Sequence, residues 1–235
     1  MFSYYGSKSK IVDYYPPPKF DKIIEPFAGS AKYALKYWQK DVLLMDKYEI
    51  IYKIWKWLQL CSKADILKLP ILKQGDKLND IVFDCEEAKL FMGFLAAGGV
   101  ARPQFTAVYR TTTHRPNWIK YSLKRISNDI DKIKHWEIKL GSYEDLQNET
   151  ATWFIDPPYQ FGGEHYVESN KKIDFIKLAE RCKSRNGQSI VCENTKADWL
   201  PFKPMIEMQG DMFKTTEAIW SNHPTNYDHV QQKLF

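Results

Sequence analysis

Short apolar runs alternate along the chain with stretches whose apolar residues recur every three or four positions, the pattern of an α/β sheet with mostly parallel strands. Ile23-Ile24 and Val42-Leu43-Leu44-Met45 read as two buried strands, joined by a helix in which Ala31, Leu35 and Trp38 share a face. Ile50, Ile54 and Leu58 predict a second helix, and Ile126, Ile130 and Ile133 a later one. Strands resume at Trp136 to Leu140, Thr152 to Ile155 and Ser189 to Cys192. Met205 to Met208 and Glu217 to Trp220 then predict an antiparallel closing pair around Gly210. Pro16-Pro17-Pro18 forms a turn ahead of the first strand. Between about Ser62 and Arg125 the rhythm gives way to Pro, Gly, Thr, Arg and aromatic residues. An inserted module of residues 62–135 is therefore expected within a principal domain made of residues 1–61 and 136–235.

Composition adds a size and a charge distribution. With 235 residues, 44% of them hydrophobic, the chain can bury one sizeable core and a smaller module. The formal charge of +5 is uneven, because residues 100–139 carry nine Lys or Arg against Asp129, Asp131 and Glu137. Charge gathered in one segment suits phosphate binding, and a solvated helical surface is the equal alternative. Cys61, Cys85, Cys182 and Cys192 are far apart with no histidine at ligand spacing, which predicts reduced thiols and no metal site. No apolar run follows Lys8 and Lys10, and Leu90 to Ala101 is too short and glycine-rich to span a bilayer. The expectation is a cytoplasmic monomer with no membrane partner.

Four short motifs carry candidate chemistry. Asp156-Pro157-Pro158-Tyr159 follows the apolar run Thr152 to Ile155, and two consecutive prolines must leave the ladder as a rigid turn at the carboxyl end of the strand. In an open α/β sheet that edge binds ligands. The turn offers one carboxylate, one carbonyl and one aromatic face, parts that suit a planar base bearing an amine. The Asp156 side chain and the Pro157 carbonyl each accept one amine hydrogen, and Tyr159 stacks through its ring face, its hydroxyl unused. A surface Pro-Pro turn with a capping Asp is the structural alternative. Glu25-Pro26-Phe27-Ala28-Gly29-Ser30-Ala31 lies between the first strand and a helix, where glycine lets a ligand approach the backbone. Asp46 follows the second strand, placed either to take ribose hydroxyls or to cap a helix. Tyr4-Tyr5-Gly6-Ser7-Lys8, taken alone, is an ordinary flexible terminus.

Taken in order, Tyr-x-Gly-Ser-Lys, Glu-Pro-Phe-Ala-Gly-Ser, Asp46 and Asp-Pro-Pro-Tyr resemble the Dam-type adenine-specific DNA methyltransferases (DpnII/MboI-like, alpha group). The likeness runs from Ser3 to about Gln160, leaves the insert aside, and is taken up again at Glu217-Ala218-Ile219-Trp220-Ser221-Asn222. It implies a Rossmann-like S-adenosylmethionine-dependent methyltransferase sheet with an inserted target-recognition module. It also implies transfer to the N6 amine of an adenine flipped out of duplex DNA. By this resemblance Tyr4, Gly6, Ser7 and Lys8 face the methionine end of the cofactor, Lys8 pairing with its carboxylate. Glu25, Phe27, Ala28 and Gly29 line its pocket together with Ser142 and Tyr143, Asp46 holds the ribose, and Asp156 stands between cofactor and amine. Two departures are visible: Ala31 stands where many members have a second glycine, and Ser142 where an acidic residue is common.

The basic segment supplies candidate DNA contacts in Arg102, Arg110, Arg115, Asn117, Lys120, Lys124 and Arg125, interleaved with Phe105, Tyr109 and Trp118. Cytosine N4 or RNA adenine methylation is the alternative within the enzyme class, and a catalytically silent DNA-binding protein the alternative outside it. A solitary or phage enzyme and one paired with a restriction endonuclease are equally compatible with the chain.

Overall fold

A computed structural model describes residues 1–111, 117–209 and 214–227. Seven strands form one mixed sheet in the order β3-β2-β1-β4-β5-β7-β6. They are β1 Lys22–Glu25, β2 Asp41–Asp46, β3 Glu137–Leu140, β4 Ala151–Ile155, β5 Gly187–Asn194, β6 Lys203–Gln209 and β7 Lys214–Ser221. β1 to β5 pair in parallel, and β7 runs antiparallel to both β5 and β6. This is the mostly parallel α/β sheet expected from the pattern, Rossmann-like as the resemblance implies, and closed by the expected antiparallel pair. The connection between that pair includes Gly210, which lies outside the described residues.

Strand alternation divides the core into two layers. Ile23, Leu44, Phe154 and Ile190 face a large cluster that includes helices α1 Lys32–Lys36, α2 Glu49–Leu60, α4 Glu86–Ala97 and α5 Trp118–Asp129. Ile24, Leu43, Trp153 and Val191 face a smaller one with α6 Phe175–Ser184. Between Ser62 and Arg125 the described residues contain no strand, and Ile66 of α3 Lys63–Lys68, Phe91, Phe94 and Ile119 share the larger cluster with β1 and β2.

Two local expectations are corrected. The first helix covers only Lys32–Lys36, because Ala31 is left-handed at φ 44° and ψ 49° and cannot join it, while Trp38 lies beyond its end. The Tyr4–Lys8 segment is held in place: Phe2 is buried against Trp55 and Phe94, Lys8 is buried, and Lys32 Nζ donates to the Phe2 carbonyl at 3.0 Å.

The order reverses between β1 and β4, and ligands bind α/β sheets in the crevice beyond the carboxyl ends of strands at such a switch point. Glu25 ends β1 and Asp156 follows β4, so two of the four motifs meet there for topological reasons. Among the described residues no helix is long and apolar enough to cross a membrane.

Candidate active site

Pro157 and Pro158 are buried, and Asp156 leaves the end of β4 facing Lys8. Its Oδ1 lies 2.8 Å from Lys8 Nζ, which also donates to the Gly6 carbonyl at 3.1 Å and sits 3.8 Å from Glu217 Oε1. Burial pushes the Asp156 carboxyl up to about 6; Lys8 pulls it down and Glu217 pushes it further up. Burial opposes the Lys8 charge, but Asp156 and Glu217 outweigh it and hold the ammonium above its usual range.

Tyr159 differs from the expectation that only its ring is used. Its hydroxyl donates to Glu217 Oε1 at 2.5 Å, and the Tyr15 hydroxyl donates to the same oxygen at 2.5 Å. Lys8 Nζ lies 4.8 Å from the centre of the Tyr159 ring, within cation–π range. The chain after the turn is pinned by Glu193 at the end of β5, which accepts the Gln160 amide at 2.6 Å, the Asn194 amide at 2.9 Å and Trp199 Nε1 at 3.1 Å.

The loop from β1 to α1 forms the neighbouring wall. Gly29 is left-handed at φ 44°, and a β-carbon there would stand 3.1 Å from Tyr4 Cδ1, so glycine lets Tyr4 approach. Gly29 donates its amide to Asp46 Oδ2 and Tyr48 donates its amide to Asp46 Oδ1, both at 2.9 Å, while Trp55 Nε1 donates to the Gly29 carbonyl at 2.9 Å. Asp46 thus ties the loop to the end of β2 and holds Tyr48, the residue just before α2. Burial raises its carboxyl to about 6, against the lowering effect of those amides. Burial likewise lifts Glu25, which accepts the Ala34 amide at 2.6 Å, to about 8.

Every residue assigned to the cofactor by resemblance borders one cleft that runs from Tyr4 and Lys8, past Gly29 and Asp46, to Tyr143 and Asp156. At one point in it Phe27 stacks on Tyr143, centres 5.2 Å apart. Ser142 lines the cleft and caps the short turn Tyr143–Asp145, with Asp145 accepting the Ser142 amide at 2.7 Å. The acidic residue that borders the cleft is Glu144, two residues beyond the position where the resemblance leads one to look for it.

A second, wider cleft adjoins the first. Tyr159, Phe161 and Glu217 line it with Tyr109, Arg110 and Trp118, and with Met208, Thr215 and Thr216 from β6 and β7. Tyr4 to Lys8 and Tyr166 border both clefts and so form the partition between them. Of the candidate DNA contacts, Arg110 borders this cleft. Arg102, Asn117, Lys120, Lys124 and Arg125 are exposed and border neither, and Arg125 donates to the Met1 carbonyl at 3.4 Å. Arg115 lies outside the described residues. The remaining cations of the basic segment are engaged locally: Lys132 with Asp129, Lys139 with Glu137, and Lys134 with the Gln59 carbonyl.

Sequence reasoning assigned no role to Glu217, Tyr166 or Glu193. For Glu217 a signal existed, because strand alternation puts it on the same face as the buried Ile219, a charge at an apolar position. Tyr166 lies in an irregular segment without periodicity.

No family model matches the chain, and neither does any curated protein. Among solved structures it is similar to the Escherichia coli protein yhhF, which bears a provisional methyltransferase name, at 8% identity and a TM-score of 0.34, over 84% of this chain and 74% of that one. A provisionally named methylase of Haemophilus influenzae, HI0767, shows 10% identity and a TM-score of 0.36, over 86% and 80% of the two chains. The rRNA methyltransferase aviRa of Streptomyces viridochromogenes gives 10% and 0.36, over 84% and 76%. Similarities this low carry no weight for the chemistry of the site.

Proposed function

We propose that the chain is an S-adenosylmethionine-dependent methyltransferase acting on the exocyclic N6 amine of adenine in duplex DNA. The observation that carries this reading is the position of Asp156, which lines the cleft containing Asp46 and Gly29 and pairs there with Lys8, a residue that also borders the wider cleft containing Tyr159. The carboxylate thus stands in the cofactor cleft, one ion pair away from the cleft that would take the base.

The first cleft fits the cofactor on chemical grounds. Asp46 uses each oxygen once toward a backbone amide, which leaves lone pairs for the two ribose hydroxyls. Phe27 and Tyr143 offer aromatic faces, and the left-handed Gly29 admits close approach to the backbone. Lys8 is the cation for an amino-acid carboxylate. When bound, S-adenosylmethionine supplies an electrophilic methyl group on a sulfonium.

The lone pair of an adenine amine is delocalised into the ring and is a poor nucleophile. Asp156 and the Pro157 carbonyl, by accepting its two hydrogens, draw the nitrogen towards tetrahedral geometry and free the lone pair. Tyr159 holds the base by stacking, a contribution of about 1–3 kcal/mol. After transfer the nitrogen sheds a proton, and Asp156, raised to about 6, is the adjacent acceptor. Orientation of the two partners accounts for up to roughly 7–11 kcal/mol of barrier lowering. Arg110 and the exposed cations of residues 100–125 supply the phosphate contacts.

The test is to incubate the protein with methyl-labelled cofactor and, separately, duplex DNA, single-stranded DNA and RNA, then digest and identify the labelled nucleoside. Label in N6-methyladenosine from RNA or in N4-methylcytosine would replace this reading with the corresponding alternative.

A further inference from the structure

Glu217 lies in β7 between Asn194 of β5 and Ile206 of β6, and is 3% exposed. A carboxylate so placed must be compensated by hydrogen bonds or opposite charge. Its Oε1 receives both the Tyr15 and the Tyr159 hydroxyls, with Lys8 Nζ at 3.8 Å. Tyr15 is itself fixed, buried and packed edge-on against Phe154 with ring centres 5.0 Å apart. Tyr159 is therefore tied, through one oxygen, to a buried and packed neighbour. The same oxygen offers Lys8 a second anion beside Asp156.

Resting on the methyltransferase reading, we propose that Glu217 is a positioning residue of the methylation site: it fixes the plane of the Tyr159 ring through the hydroxyl, and it receives the Lys8 ammonium when Asp156 turns its oxygen to the target amine. In the present arrangement Lys8 lies against Asp156 Oδ1 and so competes with the target amine for this carboxylate. A small swing of the Lys8 side chain exchanges one carboxylate for the other, so the cation stays paired while its competition for Asp156 is relieved. Without Glu217 the ammonium loses the anion that draws it away from Asp156, and it stays closer to the Asp156 carboxylate.

Glu217→Gln keeps the oxygen that accepts the two hydroxyls and removes the charge that receives Lys8. With saturating cofactor and enzyme in excess over sheared duplex DNA free of N6-methyladenine, single-turnover methylation should fall about tenfold or more, equivalent to about 1.4 kcal/mol. Dissociation constants for cofactor and DNA should stay within about twofold, a split that a merely structural role would not produce. Tyr159→Phe leaves β7 untouched and reads the link from the other end; it should also slow single turnover about tenfold. Tyrosine labelled at the ring Cζ carbon gives a readout independent of methylation, since replacing an anionic acceptor by a neutral one should move the Tyr15 and Tyr159 resonances in Glu217→Gln. Wild-type single-turnover rates in either variant would overturn the proposal, as would unmoved resonances. Absence of methylation by the unaltered protein, with those resonances moving, would instead count against the methyltransferase reading and leave the Glu217 anchor standing.

Discussion

Gly6 stands in the partition between the two clefts, and its replacement by alanine has a cost that follows from the local geometry. Its φ of +71° is left-handed, a conformation that costs an alanine about 1–2 kcal/mol. A β-carbon there would also fall 2.1 Å from the Tyr166 hydroxyl oxygen, which donates to the Tyr5 carbonyl at 3.1 Å. That separation is impossible, so Tyr166 must move; the overpacking costs about 1–3 kcal/mol, including the hydrogen bond it gives up. Gly6→Ala should therefore destabilise the protein by about 2–5 kcal/mol. In a Tyr166→Phe background the offending oxygen is gone, and the nearest ring carbon is 3.4 Å from the new methyl, an ordinary contact. Only the backbone cost of about 1–2 kcal/mol then remains. Urea unfolding of the four chains should give a coupling of about 1–3 kcal/mol, the double variant being more stable than the single effects predict. Additivity within about 0.5 kcal/mol would refute the packing of Gly6 on Tyr166, and with it the partition.

Three further outcomes follow from the charges of the site. Glu25, at about 8 when folded against an ordinary 4.5, gives a stability contribution that is present below 4.5 and lost as pH rises through about 8; Glu25→Gln should flatten urea midpoints across that window, and an unchanged pH profile would show that Glu25 titrates normally. Asp156 accepts the amine only when ionised, so single-turnover methylation should rise with pH through about 6 and level off above it, whereas a limb near the ordinary carboxylate range would contradict its burial. Neutralising Arg102, Arg110 and Lys120 together should flatten the salt dependence of duplex binding by about 0.9 in log-log slope for each phosphate these side chains had neutralised, and an unchanged slope would place the DNA-binding charge elsewhere.

The sheet was legible because its strands are short apolar runs, and each run expected as a strand is one. The first helix was overestimated because Ala31 repeats at helical spacing with Leu35 and Trp38, yet a left-handed turn holds it outside the helix. That conformation also explains the motif at this position: the loop keeps a glycine-like backbone even though the residue is alanine. Tyr4 to Lys8 looked flexible because nothing local constrains it; its order comes from long-range contacts such as the pairing of Lys8 with Asp156, which no spacing rule records. Periodicity showed where β7 runs but gave its charged Glu217 no role, since the partners that compensate a buried carboxylate come from distant segments.

The most direct measurement is the single-turnover rate of Asp156→Asn with saturating cofactor and duplex DNA. Asparagine keeps the size of the side chain but lacks the negative charge and can present a donor where the amine requires an acceptor. An interaction strengthened by about 3–4 kcal/mol in the transition state corresponds to a loss of about a hundred- to a thousandfold in rate. Duplex binding should survive, since the exposed cations lie in another segment. A fall of that size with DNA affinity retained is the predicted result; wild-type rates in Asp156→Asn would contradict the account and leave the Pro-Pro turn a structural feature alone.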